Sequence, residues 1–141
     1  MLNEKMVKTL FAIVTPPILV KCSAHSQLLG PSNLRSNINN NAVRLEWDIS
    51  DPDSTITFNI YRAIIPIYDN PEKLQKINFF KINSISKTNY IDRIEDQNNN
   101  NMFIYYVTAV FKEGLESCPS NYVKVIQDGL RMELLDNNIN Y

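Results

Sequence analysis

Phe103-Ile-Tyr-Tyr-Val-Thr-Ala-Val-Phe111 is the longest alternating run in the chain, and it leads straight into the glycine turn of Lys112-Glu-Gly-Leu-Glu-Ser117. Successive side chains of a strand point to opposite faces. The spacing therefore sends Tyr105, Val107 and Ala109 one way and Tyr106, Thr108 and Val110 the other. β-Branched and aromatic residues at this density suit a strand in the middle of a sheet. The rest of the chain reads as partners for it.

Upstream, Gly30-Pro-Ser-Asn-Leu34 opens as a short strand whose proline suits a sheet edge, with Leu34 facing inward. Asn37 to Asn41 reads as a polar turn. Val43-Arg-Leu-Glu-Trp47 then alternates apolar with charged, which directs Val43, Leu45 and Trp47 inward. A buried tryptophan removes roughly 200 Å² from water, so Trp47 is expected at the centre of the core. Thr57 to Arg62 is the next strand, with Phe58 and Ile60 on one face. Phe80 to Asn83 and Thr88 to Asp92 are shorter ones, Tyr90 pointing inward, and Tyr122 to Ile126 returns as the last. Turn residues separate these segments and no long helical period appears, which argues for an all-β sandwich of seven strands.

Composition narrows the function classes. The chain has 141 residues, which fits one domain. Its 14 basic and 15 acidic residues nearly cancel, so no basic field recruits nucleic acid. The short asparagine runs, such as Asn39 to Asn41 and Asn98 to Asn101, lie between strands and read as loop filler.

The first 26 residues read as an export segment. Lys5 and Lys8 precede the uncharged run Thr9-Leu-Phe-Ala-Ile-Val-Thr-Pro-Pro-Ile-Leu-Val20. That run is shorter than the roughly 20 apolar residues needed to span a bilayer and matches the apolar part of a signal peptide. Small residues at Ala24 and Ser26 place a cleavage site before Gln27. Leu19-Val-Lys-Cys22 also resembles a lipoprotein processing site, although Lys21 stands where a small residue belongs. Lipidation at Cys22 is the only route to a membrane. Cleavage after Ser26 leaves Cys118 without an intramolecular partner, as a small buried hydrophobe. Retention of Cys22 lets the two cysteines pair.

Three other stretches carry candidate features. Asp48 to Asp53 holds three acids, but it lacks the six or so oxygens of a calcium loop and reads as a turn. Ala63 to Phe79 is longer than a hairpin needs, and Asp69-Asn-Pro-Glu72 has the signature of a helix start for a turn or two over Pro71 to Lys76. Around it lie Ile64, Ile65, Ile67, Tyr68, Phe79 and Phe80, which either form an exposed partner patch or fold the connection back onto the sheet. The tail from Asp128 to Tyr141 is frayed or a short amphipathic helix.

Six pieces in order resemble a fibronectin type III domain of the kind found in bacterial exported proteins. They are Pro31-x-x-Leu34, Val43-x-Leu45-x-Trp47, Phe58-x-Ile60-Tyr61-Arg62, Thr88-x-Tyr90-x-Asp92, Tyr105-x-Val107-Thr108-Ala109-Val110 and Gly114-x-Glu116-Ser117-x-x-Ser120. The resemblance covers roughly Gly30 to Gln127, within a sandwich domain of residues 27–127 followed by the 128–141 tail. It implies an immunoglobulin-like sandwich that serves as a spacer and interaction module. Phe103 falls where that family has its corner tyrosine, which implies a looser corner.

The functional expectation is an exported, non-catalytic module with a protein partner at the envelope or outside the cell. No cofactor or metal is expected. The sole histidine, His25, leaves with the export segment, and Asp92, Glu95 and Asp96 read as solvated charges. The alternative is a carbohydrate-binding or enzyme-accessory domain, with Tyr68, Phe79 and above all Tyr106 stacking on the rings of a polysaccharide.

Overall fold

The computed structural model describes residues 29–50, 52, 55–67, 77–95, 100–128 and 131–134. The export segment and the helical turn expected over Pro71 to Lys76 lie outside the described residues. All regular structure among the described residues is strand: β1 (Ser32–Asn39), β2 (Ala42–Asp48), β3 (Thr55–Pro66), β4 (Phe80–Ile85), β5 (Asn89–Arg93), β6 (Asn101–Phe111), β7 (Val123–Asp128) and β8 (Arg131–Leu134). They form a three-stranded sheet in the order β1-β2-β5 and a five-stranded sheet in the order β4-β3-β6-β7-β8. Every pairing is antiparallel.

The quoted run is β6, and it is central. It pairs with β3 from Thr55↔Phe111 to Pro66↔Asn101 on one side and with β7 on the other. Its inward residues Phe103, Tyr105, Val107 and Ala109 join Val43, Leu45 and Trp47 of β2 and Phe58 and Ile60 of β3 in one buried cluster between the sheets. Trp47 is 2 % exposed and meets the Phe58 ring edge-on at 5.4 Å. Burial of large apolar side chains at about 25 cal/mol per Å² supplies the dominant drive for this packing. Phe103 sits in the same cluster, filling the corner position without a hydroxyl.

Three boundaries differ from the sequence reading. β1 runs on to Asn39, because Ile38 packs against the core opposite Val43; the turn is the pair Asn40-Asn41, with Asn40 at φ 55°. Asparagine tolerates this left-handed conformation better than most residues. β3 continues to Pro66, so Ala63 to Ile65 belong to the sheet. The tail begins as an eighth strand rather than a helix: Asp128 pairs with Arg131 and Val125 with Leu134. Asp128-Gly129 is a tight-hairpin composition in the sequence, and Met132 packs on the core.

The segment after the Gly114 turn explains two spaced serines. Ser117 and Ser120 each donate a backbone N–H to β6, to the carbonyls of Ala109 and Val107, both at 2.8 Å. Their hydroxyls accept the N–H groups of the same two residues, at 2.8 Å and 3.0 Å. The Oγ atoms thus stand in for the carbonyls of a paired strand, so the buried amides of β6 stay satisfied where β7 has not yet begun.

Candidate partner-binding surface

The outer face of the five-stranded sheet is built from the positions that alternate with the core. Tyr61 of β3 and Tyr106 of β6 are register partners, and their rings stack at 4.6 Å. Phe79 approaches Tyr106 edge-on at 4.9 Å, and Tyr122 does so at 5.5 Å. Next to these rings lies a second apolar cluster of Ala63, Ile65, Met102, Ile104 and Ile126, with Ile67, Ile77 and Phe79 packed against it. The ends of the 63–79 connection therefore fold back onto the sheet, and the Ile67 N–H bonds to the Asn100 carbonyl at 2.9 Å. Tyr106 is only 6 % exposed. This corrects the expectation of an open aromatic platform: Tyr61 stacks on the ring, and Phe79 and Tyr122 close around it at steep angles.

At the other border of the aromatic cluster, Glu116 accepts hydrogen bonds from Tyr61 Oη and Thr108 Oγ1 at 2.5 Å and from Asn59 Nδ2 at 3.2 Å. Partial burial opposes its ionisation, but the bonds from Thr108, Tyr61 and Asn59 and the Lys81 charge outweigh that and hold the carboxyl below its ordinary range. The Tyr61 hydroxyl is pushed up to about 12 by burial and by Glu116.

The inner face carries a polar node between the sheets. Arg62 Nη1 lies 2.8 Å from both carboxylate oxygens of Asp92, and Tyr105 Oη donates to Asp92 Oδ2 at 2.7 Å. Asp92 is 5 % exposed and Tyr105 is fully buried. This corrects the reading of Asp92 as a solvated charge: β5 turns it inward, where a guanidinium and a hydroxyl compensate its desolvation. Burial, followed by the Asp92 charge and hydrogen bond, raises the Tyr105 hydroxyl well above its ordinary value. Among the described residues no group of histidine, cysteine or acidic side chains is arranged to hold a metal.

Beyond this node the two sheets part in an open cleft lined by Arg62, Ile64, Arg93, Glu95 and Phe103. Ile64 lies two residues beyond Arg62 on the same face of β3, and Phe80 of β4 is the register partner of Arg62. The two are therefore diagonal neighbours. Ile64 is 48 % exposed and Phe80 68 %.

The structure thus divides the sequence-derived candidates. Ile64, at the cleft, and Phe80 stay in solvent; Ile65 and Tyr106 are buried; Ile67 and Phe79 are half-buried in the outer cluster; Tyr68 lies outside the described residues. The Arg62–Asp92–Tyr105 node was not foreseen.

Cys118 is disulfide-bonded, which corrects the expectation of a lone buried thiol. The one other cysteine of the sequence, Cys22, lies outside the described residues.

No protein-family model matches the chain, and no curated protein matches it in sequence. Solved structures do. A fibronectin type III-like protein from Clostridium thermocellum is 21 % identical, over 68 % of this chain and 88 % of that one, with a TM-score of 0.50. The FN5 domain of Drosophila Lar is 12 % identical over 70 % of this chain and 95 % of that one, at 0.50. The twitchin kinase region of C. elegans matches 72 % of this chain at 17 % identity and 0.51, but only 17 % of its own length is covered. Strand order, the two-sheet core and these neighbours together establish that the chain has the fibronectin type III fold.

Proposed function

We propose that this protein is an exported, non-catalytic binding module that works through protein–protein contacts at the cell envelope or outside the cell. Its fold commonly serves such contacts. The observation that carries the reading is the pair Ile64 and Phe80, two large apolar side chains held in solvent on adjacent strands, with Ile64 lining a cleft. A monomer keeps such side chains exposed at little benefit to its own stability, whereas a partner gains by covering them. Export is supported by the lysine-flanked apolar run at the N-terminus and by the disulfide at Cys118, a bond that persists in oxidising compartments. The carbohydrate alternative loses its main support, since Tyr106 and Phe79 are engaged with Tyr61 and Tyr122.

Affinity capture from envelope extract and culture medium of the source organism tests the proposal, with wild type and an Ile64→Asp/Phe80→Asp variant as paired baits. A protein retained by wild type and released by the variant is the expected result, with both baits giving the same Trp47 emission. Equal retention on both, or retention of polysaccharide alone, refutes it.

A further inference from the structure

The sheet edges are not alike. β1 is interrupted by a register shift between Ser32 and Arg35, with Asn33 at φ 52°. β4 pairs with β3 across a shift between Ile60 and Tyr61, and its Asn83 Oδ1 accepts the Ser84 N–H at 2.8 Å. β8 is four residues long. Bulges and short length keep sheet edges from pairing with other chains. β5 has no such interruption: it pairs with β2 in unbroken register from Ala42↔Arg93 to Glu46↔Asn89 and ends its sheet. We infer that β5 is a self-association edge, where two copies of this chain pair antiparallel about a two-fold axis through Ile91.

The phase of the ladder shows which groups are on offer. At its two ends the Trp47 N–H donates to the Thr88 carbonyl at 3.2 Å and the Ile94 N–H to the Asn41 carbonyl at 2.9 Å. Thr88, Tyr90, Asp92 and Ile94 therefore turn their backbone groups toward β2, and Asn89, Ile91 and Arg93 turn theirs to the open edge. Among the described residues no strand pairs with that edge. The side chains of the same three residues stand on the outer face, where all are exposed.

Self-complementarity selects a second copy as the occupant. An antiparallel pairing centred on Ile91 uses the N–H and C=O of all three residues in each copy. It sets Ile91, 46 % exposed, against its own symmetry mate. It sets Arg93 opposite Asn89, so the arginines do not meet. One residue beyond the hydrogen-bonded span at each end, it brings Lys87 opposite Glu95, both exposed. Opposite charges on facing strands stabilise a pairing and like charges oppose it. A contact of this length lies at the small end of protein interfaces, so the dimer forms reversibly at high concentration. The inference is independent of export and of the partner reading, since it uses neither Ile64 nor Phe80.

Sedimentation equilibrium of the full chain in low-salt buffer tests it, over about 10 µM to 1 mM, the range suited to a small interface. The mean mass should rise from monomer to dimer and no further. Ile91→Pro should weaken association at least about tenfold while leaving the β2 ladder whole, because the lost N–H faces the edge. Lys87→Glu and Glu95→Lys should each weaken it as much, by setting like charges opposite one another. Mixing those two single variants, or combining both changes in one chain, should restore it. Unchanged Trp47 emission shows that each variant is folded, and the charge variants decide the matter if Ile91→Pro is not. A wild type that stays monomeric, a dimer indifferent to the single charge reversals, or no recovery on mixing overturns the inference.

Discussion

Replacing Asp92 with alanine is expected to destabilise the domain by about 3 kcal/mol. The carboxylate is 5 % exposed and is the common partner of Arg62 and Tyr105. Breaking a buried ion pair typically costs ~3–5 kcal/mol, because the surviving charge is left uncompensated. The Arg62 side chain is 25 % exposed, so it can turn partly to water, which favours the low end. The Tyr105 hydroxyl has no such outlet, and an orphaned buried hydroxyl alone costs roughly 1–3 kcal/mol. Tyr105→Phe, by contrast, leaves Arg62 on Asp92 and should cost only about 1–2 kcal/mol. In the Asp92→Ala/Tyr105→Phe double variant no hydroxyl remains to be orphaned, so its loss should fall short of the sum by more than ~0.5 kcal/mol. Urea titrations followed by Trp47 emission measure all three, since that indole is buried and reports global unfolding. Asp92→Ala within ~1 kcal/mol of wild type, or strict additivity, refutes the reasoning.

Trp47→Ala should cost about 3–5 kcal/mol, and the wild-type indole should emit at short wavelength and resist iodide. Tyr106→Ala should cost a comparable ~3 kcal/mol rather than the small loss of an open-face residue, a comparison that urea titration of both variants decides. Ser120→Ala orphans the buried Val107 amide and should cost about 1–3 kcal/mol, read from the shift in urea midpoint. For pH, the depressed Glu116 carboxyl contributes stability that is present above its ordinary value of 4.5 and lost as pH falls through its lower folded value. The raised Tyr61 hydroxyl contributes below 10, and that contribution is lost as pH rises through about 12. Glu116→Gln should therefore flatten the acid limb of the stability–pH profile measured by urea midpoints, whereas an unchanged limb shows that the network is not formed.

The sandwich was legible because its core obeys a period of two: Val43, Leu45 and Trp47 on one strand and Tyr105, Val107 and Ala109 on another point where alternation sends them. The polar node was legible by the same rule, though its polarity hid it. Phe58, Ile60 and Arg62 share a face, as do Tyr90 and Asp92, so alternation puts a charge of each sign on the inward faces of facing strands, a consequence that reading Asp92 as a solvated charge passes over. The outer cluster is harder to read. Met102, Ile104 and Tyr106 make β6 apolar on both faces, which signals a strand covered on both sides, but the cover comes from residues after β3 that alternation does not address. β8 escaped because four residues with one hydrophobic period are too short to separate strand from helix.

Site-specific photo-crosslinking in the source organism tests the proposed role most directly. A photoreactive phenylalanine analogue at position 80 should yield a discrete adduct with one protein outside the cytoplasm, and the same analogue at Glu46, on the three-stranded sheet, should not. No adduct at position 80, or the same adducts from both positions, would contradict a partner surface at Phe80 and Ile64.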